Sequence, residues 1–261
     1  MVPARVAASK RGGTAPMAVQ TERLEIAVGD ATMGAYLARP AGDGPFPGVI
    51  VWMEIFGVNG HIRDIADRVA AEGYVALAPD FFHRSLPGIE LGYDDEGMAK
   101  GMEGLHALDA DEMIADARAA LAALLDCSDT TGEVGVIGFC IGGHMTYLTA
   151  CETGVTAAAS FYGGGIAAPE GPGGKEATLS RTGGIRGRIL CLFGGKDLLI
   201  PEGHVAAIRS SLEAAGTDHE IVVYEPAEHG FFCDRRDTYH ADSAADAWRR
   251  VTTLFAQELK R

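Results

Sequence analysis

From Glu22 onward, short continuous apolar runs alternate with longer stretches in which apolar residues recur every third or fourth position. Residues 24–28 and 33–38 alternate apolar with polar around Gly29-Asp30, which predicts an early antiparallel hairpin. Residues 48–53 (GVIVWM) are apolar throughout, as suits a strand buried on both faces. Ile62, Ile65, Ala66 and Val69 follow at helical spacing until Gly73, and residues 74–78 (YVALA) form the next strand, ended by Pro79-Asp80. A long irregular segment, roughly 81–97, leads to a helix striped by Met113, Ala117, Leu121 and Leu124. Strands are predicted at 133–139, 155–162, 189–193 and 220–224. Helices are predicted over 141–150, from about Pro201, and at the carboxyl end, where Ala244, Trp248, Val251 and Phe255 share a face.

This alternation implies right-handed crossovers and an α/β architecture, a mainly parallel central sheet with helices on both faces. The Gly-rich stretch 163–174 reads as a loop because the alternation resumes beyond it. Residues 21–261 are therefore taken as one domain behind a mobile tail of residues 1–20.

The chain has 261 residues and a net charge of −14, with 47% hydrophobic and 22% charged residues. That mixture is globular, and its acidity argues against nucleic acid or an anionic membrane as partner. Five cysteines, an odd number with no C-x-x-C and no Cys/His zinc spacing, point to a reducing cytoplasm and to no metal or cofactor. No run is long enough to span a membrane, and residues 1–18 lack the apolar core of a signal peptide. The expectation is a monomer or small homo-oligomer acting on a small molecule.

Chemistry enters where the strand at 133–139 meets the helix at 141–150. Gly138-Phe139-Cys140-Ile141-Gly142-Gly143 has the G-x-S-x-G form of a nucleophile elbow, with Cys in place of Ser. A sulfur at a helix N-terminus meets the positive end of the dipole and free N–H groups, which favour thiolate. Such a nucleophile needs a base and a group to orient it. Asp197 lies just past the strand at 189–193 and His229 just past that at 220–224, in the acid-then-His order that accompanies this elbow. Asp197 alone could serve as a helix N-cap before Pro201. The other seven histidines lack this placement, and His144, one turn beyond Cys140, is expected to face the packing side. Three residue types in order, each beyond a strand, make Cys140, His229 and Asp197 a candidate catalytic triad.

Glu54-Ile55-Phe56-Gly57-Val58-Asn59, directly after GVIVWM, is similar to the E-I-F-G-x-N signature of the dienelactone hydrolase (carboxymethylenebutenolidase) family of α/β-hydrolases. Pro79-Asp80-Phe81-Phe82-His83-Arg84 resembles that family's P-D-L-Y-x-R segment, and the likeness covers most of the chain after about residue 22. The resemblance implies the α/β-hydrolase fold, the Cys140–His229–Asp197 triad, and Glu54 as a fourth member near the resting sulfur. It also implies an oxyanion hole from the backbone N–H groups of Ile55 and Ile141. A carboxylate beside a thiol disfavours thiolate, so an anionic substrate that displaced Glu54 would release the nucleophile.

Family enzymes hold the substrate carboxylate with two arginines, and Arg84 matches the first. The second position is Cys233 here, with Arg235 close by as a candidate replacement, and the residue after the histidine, often Ser in the family, is Gly230. Phe56, Phe82, Tyr162 and Phe231 are candidates for the pocket wall. The expected activity is opening of a lactone or small ester through a thioester on Cys140. Cys233 in place of arginine favours the alternative, a broader carboxylesterase or thioesterase acting on neutral esters. A ligand-binding homologue without turnover is the third reading.

Overall fold

The computed structural model describes residues 17–261. Most of the expected tail lies outside the described residues, and β1 (Val19–Val28) already begins within its range. β1 and β2 (Ala31–Pro40) form the hairpin around Gly29-Asp30. β3 (Phe46–Trp52), helix α1 (Gly60–Ala71) and β4 (Val75–Pro79) follow. Next come α2 (Asp95–His106), α3 (Ala110–Leu125), β5 (Thr130–Phe139), α4 (Ile141–Glu152) and β6 (Ala157–Phe161). The Gly-rich loop carries a minimal hairpin, β7 (Glu170–Gly171) with β8 (Lys175–Glu176), and a 3-10 turn at Thr178–Gly184. β9 (Arg188–Gly194), α5 (Glu202–Ala215), β10 (His219–Tyr224) and α6 (Ala241–Leu259) complete the chain.

The main sheet runs β1-β2-β4-β3-β5-β6-β9-β10, antiparallel at β1, β2 and β4 and parallel from β4 to β10. Helices α1 and α6 pack together on one face, where the Arg68 guanidinium lies 4.1 Å over the Trp248 ring. On the other face α4 is tied to the sheet by Trp52 Nε1, which donates to Thr149 Oγ1 at 3.0 Å. Coverage of both faces explains why β3, β4 and β6 are apolar without alternation.

The expected irregular segment, 81–97, leads into helix α2, which overlaps it only at its first three residues and separates it from the helix striped by Met113. Gly97, Gly101 and Gly104 interrupt its apolar pattern and lower its helix propensity, while Asp94 caps it through Gly97 N. The glycines permit close packing instead: a Cβ at Gly101 would fall 2.6 Å from the Ile55 carbonyl oxygen, and one at Gly104 2.8 Å from the Phe82 ring. α2 therefore lies against the loop that follows β3. That loop, and those after β5, β6, β9 and β10, all leave the carboxyl edge of the sheet, where open α/β sheets form their sites.

Candidate active site

The turn between β5 and α4 holds Cys140 at φ 58° and ψ −120°, a conformation that costs a non-glycine residue about 1–3 kcal/mol. Packing maintains it. A Cβ on Gly142 would lie 2.3 Å from the Met53 carbonyl oxygen and 2.5 Å from that of Trp52, so only glycine lets α4 begin against the end of β3. This contact sets the amino end of α4, with Ile141, against the loop that carries Glu54 and Ile55.

Both oxygens of the buried Asp197 are used. Oδ1 accepts from Leu199 N at 2.9 Å, closing the turn after β9, and Oδ2 accepts from His229 Nδ1 at 2.8 Å. The turn role and the orienting role thus coexist in one carboxylate. His229 Nε2 is sealed from solvent and makes no aligned hydrogen bond, as is common before a substrate tightens the geometry. Burial opposes a charged imidazole, but the negative sulfur of Cys140 and the Asp197 carboxylate outweigh it and lift His229 to about 10.

Glu54 is fully buried at the end of β3. Its Oε2 accepts from Tyr93 Oη at 3.1 Å and its Oε1 from Arg236 Nη1 at 3.3 Å. Asn59 holds Tyr93 in place, donating from Nδ2 to Tyr93 Oη at 3.3 Å while its Oδ1 caps α1 through His61 N and Ile62 N. The Arg236 guanidinium lies 5.7 Å from the Phe56 ring centre and 5.8 Å from that of Tyr93. Burial works against its charge, yet the Glu54 carboxylate holds it more firmly protonated than a free arginine. Room for this cation comes from Gly230, at φ +80°, where a Cβ would fall 2.6 Å from Arg236 Nη1 and 2.7 Å from its Cζ.

Tyr162 follows β6, its ring 5.0 Å from His229 and 5.3 Å from Phe231. Its hydroxyl is buried without a partner, and burial, then the Glu54 charge, push its pKa well upward, so it stays a donor. Cys140, His229, Asp197, Glu54, Tyr162, Phe56 and Phe231 thus gather at one edge of the sheet. Arg84 and Phe82 lie toward α2 and α3. Arg84 Nη1 donates to the buried Asp116 Oδ2 at 3.0 Å, and its Nε is 3.5 Å from Glu112 Oε1. Phe82 stacks edge-on with Phe81 at 5.0 Å beneath α2.

Arg235 pairs with Asp64 at the surface, so Arg236 is the arginine that reaches Glu54. His144 faces the packing side as expected, with Nδ1 3.1 Å from Gly164 O and Nε2 2.9 Å from Thr178 Oγ1, and burial lowers it to about 4. Sequence reasoning missed Tyr93 and Arg236. Tyr93 sits in the segment read as irregular, and no local signal separates Arg236 from its neighbour Arg235.

The sequence profile of the dienelactone hydrolase family matches residues 33–259. The chain belongs to the dienelactone hydrolase family. It is 42% identical over 244 residues to a Synechocystis sp. protein named "Putative carboxymethylenebutenolidase", covering 93% of this chain and 98% of that one. It is 30% identical over 226 residues to the carboxymethylenebutenolidase of Pseudomonas putida, covering 86% and 91%. A Klebsiella pneumoniae crystal structure described as a "Putative Dienelactone Hydrolase" superposes with a TM-score of 0.82 at 33% identity, over 92% of this chain and 99% of that one. Dienelactone hydrolase family membership bears out the α/β-hydrolase fold and assigns hydrolase chemistry on lactone or ester bonds. Among the described residues, no helix is long and apolar enough to cross a membrane.

Proposed function

We propose that this dienelactone hydrolase family member opens a lactone or small ester that carries a carboxylate, with Cys140 as nucleophile. The observation that carries the reading is Arg236, a part-buried cation with Glu54 as its resting counterion and Cys140 within its electrostatic reach. A substrate carboxylate replaces Glu54 on Arg236 and brings its carbonyl to the sulfur. Sγ–C bond formation then pushes the carbonyl electrons onto oxygen, where the Ile55 and Ile141 N–H groups receive them. As the C–O bond breaks, the His229 imidazolium gives its proton to the leaving oxygen. Neutral His229, oriented by Asp197, next takes a proton from water. That water attacks the thioester, and expulsion of the thiolate restores the starting pair. Phe56, Tyr162 and Phe231 are fully buried and pack around Arg236 and His229. Arg84 could assist only after leaving Asp116 and Glu112, so Arg236 takes the role expected of the residue at Cys233.

The test compares an anionic dienelactone with a neutral p-nitrophenyl ester. Loss of one charge-assisted contact predicts that Arg236→Met lowers kcat/KM roughly 10- to 150-fold on the dienelactone, with a far smaller loss on the neutral ester. Equal losses on both would transfer the protein to the neutral-ester reading. Turnover by Cys140→Ala would remove the nucleophile assignment.

A further inference from the structure

Glu54 has other neighbours that the proposed reaction does not use. A ring nitrogen of His61, the sulfur of Cys233 and a carboxylate oxygen of Glu54 lie within 4.8 Å of one another, and all three residues are buried. His61 is 3% exposed. Its Nδ1 is 3.9 Å from Asp234 Oδ1, while its Nε2 is closed off from solvent and has no hydrogen-bond partner. A buried polar atom left unsatisfied costs about 1–3 kcal/mol, so this nitrogen calls for a ligand. Burial lowers the pKa of His61, and its place at the amino end of α1 also opposes positive charge, which keeps the ring in its metal-ligating neutral form. Burial, then the Glu54 charge, raise Cys233 to about 11, so its sulfur carries an exchangeable proton.

We propose that Glu54, His61 and Cys233 form a site for a thiophilic divalent cation of the Zn²⁺ class. One nitrogen, one sulfur and one oxygen, with water as a fourth donor, suit the tetrahedral preference of that ion and exclude hard cations that require all-oxygen sites. Binding is an exchange. The Cys233 thiol releases its proton to water as the sulfur–metal bond forms, and Glu54 leaves Arg236 for the cation. Thiolate and carboxylate together offset the two positive charges, while Arg236 retains the faces of Phe56 and Tyr93. A surface cleft of about 520 Å³ lined by His61, Asp64, Asp234, Tyr239 and Trp248 gives a route inward, with Arg68 and the Asp64-bound Arg235 as its opposing cations.

Cys140→Ser protein is the sample for binding, because it removes the rival Cys140–His229 ligand pair. Titration with Co²⁺ should give a thiolate-to-cobalt charge-transfer band saturating at one equivalent, with one proton released per ion. Zn²⁺ should displace the cobalt. The band should vanish in Cys140→Ser/Cys233→Ser, and affinity should fall at least about tenfold in Cys140→Ser/His61→Gln. No saturable binding, a spectrum without the thiolate band, or a band that survives loss of Cys233 would overturn the site. None of these readouts needs turnover, so they stand apart from the substrate reading.

Discussion

Gly230→Ala adds one carbon where the Arg236 guanidinium now lies, with Nη1, Cζ and Nε at 2.6, 2.7 and 3.0 Å from it. The methyl group cannot retreat, because it is fixed to a backbone at φ +80°, and that conformation alone costs an alanine about 1–2 kcal/mol. Arg236 must move instead, and doing so abandons Glu54. The carboxylate side chain is 1% exposed and the guanidinium 15%, so water does not replace the lost partner. Breaking a buried ion pair from one side costs about 3–5 kcal/mol, although Tyr93 still donates to Oε2 and holds the loss toward the lower figure. The two effects together give about 4 kcal/mol, a fall in Tm of roughly 8–16 °C for a domain of this size.

A double-mutant cycle separates the causes. In an Arg236→Ala background the same Gly230→Ala change should cost only the backbone strain, about 1–2 kcal/mol, leaving a coupling of about 3 kcal/mol between the sites. Urea denaturation of the four proteins measures it, and kcat/KM on an anionic lactone should fall in Gly230→Ala as it does in Arg236→Ala. Equal destabilisation in the two backgrounds would refute the idea that Gly230 exists here to admit Arg236.

Removing the sulfur charge by Cys140→Ser should lower the His229 pKa well below about 10, read by NMR of its imidazole protons, and an unchanged value would assign the shift to Asp197 alone. The raised pKa of wild-type His229 contributes stability that is fully present below the unfolded histidine value of about 6.5 and is lost as pH rises toward about 10, so Tm should decline across that window less steeply in the serine variant. His144 has the opposite sign: its neutral buried ring stabilises above about 6.5 and loses this progressively down to about 4, and His144→Gln should flatten that acid limb of the Tm profile. Gly101→Val should press on the Ile55 carbonyl from α2 and lower kcat by about tenfold or more with KM less affected, as loss of oxyanion support would; a pure KM effect would argue otherwise.

The positions of the three candidate triad residues were legible because each lies within a few positions of a strand end, and a buried parallel strand announces itself by an uninterrupted apolar run. Cys140 is a local feature, defined by Phe139 before it and the glycines after it. Asp197 and His229 inherit their positions from β9 and β10, which are neighbours in the sheet. Helix α2 escaped because its glycines serve contacts to Ile55 and Phe82 that the periodicity of its own sequence does not encode. Tyr93 escaped with it, since its partners Asn59 and Glu54 are more than thirty positions away.

Arg236 was illegible for another reason, and it bears on the acidic composition of the chain. Cys233 N donates to Gly230 O at 3.0 Å and Arg236 N to Cys233 O at 3.2 Å, two successive turns that fold Arg236 back over Gly230 and leave Arg235 on Asp64. Adjacent arginines therefore end in opposite environments, a surface pair worth little and a buried pair whose loss is costly. Surface charges act across water and are screened within about 8 Å at physiological ionic strength, so a net charge of −14 sets little inside the pocket. The part-buried Arg236 guanidinium interacts with Glu54 and Cys140 through a lower dielectric and outweighs the distant carboxylates. On the proposed substrate reading, Glu54 is the counterion that makes partial burial of Arg236 tolerable until a substrate carboxylate replaces it. That substitution trades one carboxylate for another, so substrate binding need not overcome the desolvation that folding has already imposed.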